Sequence, residues 1–176
     1  EFRLRRYLAF AEFKSELAPH FGLGLEGYAT WTSPIRKYSD MVNHRLIKAV
    51  LTQQACEKPQ DEVLARLQEA RRQNRLVERD IADWLYCRYL ADKVAENAEF
   101  DAEVQDVMRG GLRVQLLENG ASMFVPASTL HPNKDEMQVN ADELALYIQG
   151  ERRYKIGDLV KVKLIEVREE TRSIVG

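Results

Sequence analysis

Hydrophobic residues change from helical to strand-like spacing near residue 100, and this change restricts the chain to an α+β fold. From 100 to 108 apolar and polar residues alternate, as they do in a half-buried strand. Two turn signals follow, Arg-Gly-Gly at 109–111 and Glu-Asn-Gly at 118–120. Further strands are predicted at 112–117, 121–126, 144–148, 157–168 and 171–175. Short strands with a long connection before the fourth major strand are typical of a small Greek-key barrel of the OB type.

Residues 1–97 instead predict three helices. The first covers residues 1–17 and ends before Pro19, the second runs from about Pro34 to Leu51, and the third runs from Asp61 to about Glu96. At a rise of 1.5 Å per residue, the third helix has a length on the order of 50 Å. Its predicted apolar stripe consists of Val63, Leu67, Ala70, Val77, Ile81, Trp84 and Leu85.

The start of the second predicted helix has the properties of an anion site. Ser33 is a favourable N-cap, and Pro34 suits the first helical position. The free N–H groups at such an end carry partial positive charge, and Arg36 adds a planar guanidinium suited to phosphate oxygens. Lys37 adds a second positive charge. The alternative, an ordinary capped helix in which Arg36 pairs with Asp40, is equally compatible with these residues. The predicted buried face of this helix consists of Ile35, Tyr38, Val42 and Ala49.

Arginines recur every four residues on the third predicted helix, at Arg71, Arg75 and Arg79, with Arg72 beside them. Such a ridge favours a solvated face with local ion pairs. The less favoured alternative is a face that follows an RNA backbone, since separated charges on one side of a helix can bind successive phosphates. The predicted ion-pair partners are Glu78, Asp80 and Asp83.

Metal and redox chemistry find little support in the sequence. Two-metal phosphodiester chemistry requires carboxylates that converge from different elements, whereas the acidic pairs here lie on single amphipathic helices. We therefore predict surface charges, and no metal site, for Glu12, Glu16, Asp80 and Asp83.

Cys56 and Cys87 lack metal or redox spacing, which suits a reducing cytoplasm. No apolar run approaches the roughly 18 residues of a membrane span.

Charge is distributed unevenly along the chain. Residues 1–50 carry eight basic and five acidic side chains, whereas residues 96–176 carry ten basic and fifteen acidic ones. A nucleic-acid partner normally requires a basic surface. Composition alone therefore does not indicate RNA, and any binding face on the second half must be local.

The stretch from His20 to Arg45, HFGLGLEGYATWTSPIRKYSDMVNHR, closely resembles the end of the catalytic domain of the RNB family of exoribonucleases. The match is unbroken over some two dozen residues. It implies that residues 1–97 form the helical C-terminal portion of an RNB catalytic domain. In that family the arginine of the Ser-Pro-Ile-Arg motif belongs to the catalytic site, and it corresponds to Arg36.

Residues 98–176 resemble an S1 domain, the RNA-binding variant of the OB fold. The resemblance rests on Arg-Gly-Gly-Leu-Arg-Val at 109–114, Phe-Val-Pro-Ala-Ser at 124–128 and Gly-Asp-Leu-Val-Lys-Val-Lys at 157–163. OB surfaces bind single strands by stacking bases on aromatic rings while basic side chains contact phosphates. The predicted RNA-binding residues of this domain are Arg113, Phe124, Lys161 and Lys163.

The two resemblances together imply a processive exoribonuclease that hydrolyses single-stranded RNA from its 3′ end to nucleoside 5′-monophosphates with Mg²⁺. Arg36 would hold the scissile phosphate and stabilise the charge that develops on it. Thr32, Ser33, Lys37 and Tyr38 match the same motif and are predicted to shape the RNA pocket. Glu78 matches a family helix near the RNA channel and is a further candidate.

One departure from the family limits this prediction. The RNB family binds Mg²⁺ through aspartates early in the catalytic domain, and neither that cluster nor the preceding cold-shock domains has a match here. We therefore expect the chain to be a C-terminal part that binds RNA but does not cleave it alone, its partner being the remainder of the exoribonuclease. Two alternatives are a stand-alone, non-catalytic S1-type RNA-binding module and an interaction domain whose acidic half meets a basic protein.

Overall fold

The computed structural model describes residues 11–176, which divide into two compact units, one ending at Val77 and one beginning at Glu78. Most of the helix predicted at 1–17 lies outside the described residues. Residues 11–17 are not helical, so the prediction is wrong there. The reason is tertiary contact, because the Ala11 carbonyl accepts a hydrogen bond from Gln68 Nε2 (3.2 Å) and Phe13 packs under the Arg71 guanidinium.

The unit that ends at Val77 is built around α1, Tyr38–Leu51, and the first part of α2, Asp61–Ala91. A short 3₁₀ turn, Phe21–Leu23, precedes them, and Gly24 ends it with a positive φ of 63°. The long predicted helix is confirmed, since α2 is continuous over 31 residues and is followed by the 3₁₀ turn Asp92–Val94. In the described part of the chain, no helix is both long and apolar enough to cross a membrane.

The unit that begins at Glu78 contains nine strands and the end of α2. The strands are β1 Glu99–Met108, β2 Gly111–Leu116, β3 Ser122–Pro126, β4 Met137–Asn140, β5 Ala145–Ile148, β6 Glu151–Lys155, β7 Leu159–Lys163, β8 Glu166–Arg168 and β9 Ser173–Val175. A single helical turn, α3 Ala127–Leu130, follows β3. Six strands form one curled sheet in the order β7-β1-β2-β3-β9-β8, and β4-β5-β6 form a second.

The order β7-β1-β2-β3 places the strand after the long connection beside the first strand, which is the Greek-key arrangement. Neighbouring strands are antiparallel except for β3 and β9. The predicted α+β class with an OB-type barrel is thereby confirmed. The strand predicted over 157–168 is interrupted between β7 and β8, and the connection after β3 contains strands β4 and β6 that the sequence did not predict.

The barrel core is formed by the inward-facing half of each strand together with the end of α2. Cys87 and Leu90 of α2 are completely buried there, beside Val104, Val114 and their neighbours. The apolar stripe predicted for α2 is therefore not its buried face in this unit, since the Ile81 and Leu85 side chains of that stripe are about half exposed. The barrel selects a different face of the helix, centred on Cys87 and Leu90.

A β-bulge interrupts the regular pairing of β1 with β2. Val104 pairs with Val114 and Asp106 pairs with Arg113, so Gln105 is an extra residue in β1. The bulge lets two consecutive polar side chains avoid the core and returns Val107 to it.

Candidate nucleic-acid interface

Helix α1 begins at Tyr38, four residues later than predicted. Lys37 occupies the N-cap position, and Ser33 is not the cap. Instead the Ser33 carbonyl accepts hydrogen bonds from the N–H groups of Arg36 (3.2 Å) and Lys37 (2.8 Å) and closes a separate turn. Ile35 lies on this turn with 99% of its side chain exposed, so its predicted place on the buried face is wrong.

The buried carboxylate of Asp40 explains why the helix starts late. Asp40 is the one charged residue among those described that is fully buried. Its Oδ2 accepts the Ser33 N–H at 2.9 Å, and its Oδ1 accepts the hydroxyls of Thr30 and of Ser39, the latter at 3.2 Å. The Lys37 ammonium lies 3.4 Å from Oδ2. The Ser33 backbone is thus held by a side chain of the first helical turn rather than by helical bonds.

The charge state of Asp40 follows from these contacts. Burial opposes ionisation, but the hydrogen bonds from Thr30 and Ser33 and the charge of Lys37 outweigh it and hold the pKa below its usual value. Asp40 therefore pairs with Lys37, and the alternative pairing with Arg36 is wrong. The sequence signal for this role is that an acidic residue is favourable in the first turn of a helix, where Asp40 lies.

Two further side chains attach the segment before the turn to α1. Asn43 Nδ2 donates to the Thr30 carbonyl at 2.9 Å, and His44 Nε2 donates to the Trp31 carbonyl at 2.8 Å. The Trp31 and His44 rings also meet edge to face at 5.9 Å. Since Asp40, Asn43 and His44 are spaced three and four apart, one face of α1 holds the whole segment.

Arg36 itself is exposed, and none of the residues 11–176 forms an ion pair with it. A planar, permanently charged guanidinium in this exposed position suits two oxygens of an anion. Tyr38 is 54% exposed at the start of α1, and Thr32 is exposed within the preceding bend. The predicted pocket residues lie at or beside the two ends of this turn: Thr32 and Ser33 at its start, and Lys37 and Tyr38 at its end. Of these, Lys37 is already paired with Asp40.

A shallow depression of about 500 Å³ lies along α1, and its lining includes Trp31, Met41, His44 and Arg45. His44 and Arg45 border it on the helix side. Asn43 does not, because its amide is bonded to the Thr30 carbonyl.

The arginines of α2 at positions 71, 72, 75 and 79 do not form the ion pairs that the sequence predicted. Arg72 contacts Glu69 at 3.7 Å, whereas Asp80 contacts Arg172 of the barrel unit at 3.5 Å. Arg75 and Arg79 are exposed, and the described residues include no ion-pair partner for either. The predicted local pairs to the acids of the ridge are therefore wrong. Glu78 is also exposed on this helix.

On the barrel, Arg113 and Phe124 form a cross-strand pair. Arg113 of β2 lies directly opposite Phe124 of β3, and both side chains are on the outer face of the sheet. Gly110 precedes β2 and lies beside the half-exposed Phe124 ring, since a Cβ there would be 3.8 Å from Phe124 Cζ. A flat ring beside a guanidinium is the combination that binds a base and a phosphate of a single strand.

Lys161 and Lys163 of β7 form a second group. Lys161 lies opposite Asp101, and Lys163 lies opposite Glu99, so each lysine faces a carboxylate on β1. Strand β1 separates them from β2, and Asp101 is five residues from Asp106, the partner of Arg113. With strands about 4.8 Å apart and about 3.3 Å per residue, Lys161 and Arg113 are roughly 15–20 Å apart. The four predicted barrel residues thus divide into two groups.

Residues 11–176 contain no group of three or more His, Cys, Asp or Glu side chains close enough to hold a metal ion. Asp40 has its oxygens occupied by four donors. The described residues therefore do not fit a Mg²⁺ site.

Two segments of the chain match known protein families. The family model described as "RNB domain" matches residues 1–53, and the one described as "S1 RNA binding domain" matches residues 93–176. Proteins named exoribonuclease 2 match the entire chain: one from Haemophilus influenzae (strain 86-028NP) is 87% identical, and one from Pasteurella multocida is 76% identical. In both cases the chain spans 27% of the relative's length.

Solved structures of RNase R from Mycoplasma genitalium share the fold. The apo form superposes with a TM-score of 0.77 at 22% sequence identity, over 98% of this chain and 28% of that one. A second structure, in complex with ribose methylated single-stranded RNA, superposes with the same TM-score and identity. At this identity the likeness establishes the fold alone.

Proposed function

Because this chain belongs to the RNB family of exoribonucleases, carrying part of an RNB domain followed by an S1 domain, we propose that it is part of an enzyme that hydrolyses single-stranded RNA. The enzyme works processively from the 3′ end and releases nucleoside 5′-monophosphates. The relatives' names and the RNA-bound structure of a protein with this fold support the substrate. The remainder of the exoribonuclease, with its cold-shock domains, is the chain's partner.

The position of Arg36 is the main structural support for this proposal. Its guanidinium is exposed, lies just before the N-terminus of α1, and has no ion-pair partner among residues 11–176. A planar cation in this position can hold two oxygens of the scissile phosphate and stabilise the additional charge of the transition state. Lys37 acts less directly, since its ammonium neutralises Asp40. Thr32, Ser33 and Tyr38 shape the pocket around the phosphate.

Mg²⁺ supplies Lewis-acid activation of the phosphodiester in this chemistry. Because the described residues offer no site for it, we propose that residues outside them bind the ion. The contribution of this chain is to bind and orient the RNA. Glu78, an exposed carboxylate of α2, can accept hydrogen bonds from ribose hydroxyls but repels phosphates, so its contact is with the sugar. Both cysteines are free, which suits the reducing cytoplasm proposed for the enzyme.

An assay of the chain by itself tests whether it binds RNA without cleaving it. Incubated with 5′-labelled single-stranded RNA and Mg²⁺, the 176-residue chain is expected to retard the RNA on a native gel without shortening it. Its affinity should fall steeply as salt increases, because bound cations are released from the phosphates. A ladder that shortens from the 3′ end would contradict the proposed location of the metal site. RNA that stays unbound at low salt would contradict the RNA-binding role of the S1 domain.

The two groups of barrel residues are expected to differ in their contribution to RNA affinity. Phe124→Ala should weaken binding about tenfold through loss of base stacking, and Arg113→Ala should lower the slope of log affinity against log salt by about one. Lys161→Ala should have the smaller effect, because Asp101 opposite it offsets part of its charge. Filter binding over a salt series measures all three, with Phe124→Tyr as the matched control. A Lys161→Ala loss that exceeds the Arg113→Ala loss would place the RNA on β7 instead.

A further inference from the structure

We propose that Asp40 is a positioning residue that sets the orientation of Arg36. This inference rests on the proposed function, since it assigns Asp40 a role only through the phosphate-holding arginine. Asp40 does not itself touch RNA, because its side chain is fully buried.

Two hydrogen bonds on either side of the Ser33 Cα connect Asp40 to Arg36. Asp40 Oδ2 accepts the N–H of Ser33 at 2.9 Å, and the carbonyl of the same Ser33 accepts the N–H of Arg36 at 3.2 Å. Arg36 lies outside α1, so helical hydrogen bonds do not fix its backbone. The direction in which its side chain leaves the turn therefore depends on the backbone of Ser33, whose N–H donates to Asp40 and whose carbonyl accepts from Arg36.

The burial and the partners of Asp40 point to a local role. A buried carboxylate is retained only when hydrogen bonds and charge compensate its loss of water. All four compensating groups come from Thr30, Ser33, Lys37 and Ser39, within ten residues of Asp40. The described hydrogen bonds of Asp40 thus hold the turn that carries Arg36 against α1, and none of them joins α1 to α2.

The test is a double-mutant cycle in the full-length enzyme, with Asp40→Asn and Arg36→Ala alone and combined. Asparagine keeps the volume of Asp40 but replaces one acceptor oxygen by a donor and removes the charge that Lys37 neutralises. We expect Asp40→Asn to slow single-turnover hydrolysis of 5′-labelled RNA roughly tenfold to a hundredfold, because small misplacements of a catalytic group have effects of this size. RNA affinity should change less than about threefold. In the Arg36→Ala background the same change should cost less than about twofold, since coupled residues are not additive.

Controls separate positioning from folding. Glu57→Gln makes the same acid-to-amide change on an exposed linker residue and should leave the rate unchanged. Thr30→Val removes one donor to Asp40 and should give a smaller loss that also disappears in the Arg36→Ala background. This second variant keeps the proposal testable if Asp40→Asn lowers the melting temperature below that of the assay.

Each outcome decides a different point. Equal losses from Asp40→Asn in both backgrounds would show a general structural role and overturn the inference. If Arg36→Ala slows hydrolysis and Asp40→Asn does not, the inference about Asp40 is overturned and the proposed role of Arg36 stands. A harmless Arg36→Ala would overturn the proposed role of Arg36, and with it any role of Asp40 that acts through Arg36.

Discussion

Replacing Arg36 by alanine in the full-length enzyme is expected to slow RNA hydrolysis by about a hundredfold to a thousandfold, the usual loss when a transition-state hydrogen-bond donor is removed. RNA affinity should change little, because the S1 domain and the rest of the RNA contacts remain. The effect should therefore appear in kcat rather than in KM. Single-turnover rates and filter binding measure the two quantities separately.

The lysine variant refines this prediction. Arg36→Lys keeps the charge but loses the planar fork, so it should recover only part of the activity. Arg66→Ala is a matched control, because Arg66 is an exposed arginine that lies on α2 and not on the turn before α1. Loss of affinity at an unchanged rate in Arg36→Ala would contradict the transition-state role and leave Arg36 as one phosphate contact among many.

Replacing Gly111 by alanine is expected to destabilise the barrel by about 3–5 kcal/mol. Gly111 has a φ of 143°, a conformation that L-residues rarely adopt, and an added Cβ would lie 2.0 Å from the Val125 carbonyl oxygen and 2.9 Å from the Ala127 nitrogen. Both contacts are with backbone, so relief requires β2 and β3 to separate. A loss of this size is a large part of the roughly 5–15 kcal/mol that stabilises a typical domain.

The neighbouring glycine gives the control for this prediction. A Cβ on Gly110 would meet only the far end of the Phe124 ring, at 3.8 Å, which is ordinary van der Waals contact. Gly110→Ala should therefore change the free energy of unfolding by less than about 1 kcal/mol. Urea denaturation followed by circular dichroism compares the two variants. Equal midpoints would mean that the barrel accommodates the side chain at 111 by a shift that the present contacts do not suggest.

The barrel was predictable because its information is local. The hairpin glycines and the Glu-Asn-Gly turn set where β1, β2 and β3 begin and end, and the alternation at 100–108 indicated the first strand. Strand β6, Glu-Arg-Arg-Tyr-Lys, has no such signal, because its residues are mostly charged and its pairing with β5 depends on the rest of the sheet.

The start of α1 was not predictable from local preferences. Ser33 and Pro34 are favourable residues for a helix N-terminus. The helix nevertheless begins at Tyr38, because a carboxylate seven residues after Ser33 captures the Ser33 N–H and folds the intervening residues into a turn. The sequence predicted Arg36 as the anion-binding residue. Only the structure shows that Asp40 pairs with Lys37 instead of Arg36, and that the Arg36 N–H donates to the Ser33 carbonyl.

The bulge at Gln105 has a consequence for how relatives are aligned. Before it, residues of β1 with odd numbers face outward, and after it the outward positions have even numbers. A relative with a regular first strand therefore has one residue fewer between the start of the strand and the hairpin glycines. If such a relative is aligned without a gap, a residue that faces its core is matched to Asp106, which faces outward here. The substitutions seen at that core position are then assigned to the outer face. Homologous surfaces of this barrel are comparable only when the two halves of β1 are aligned independently.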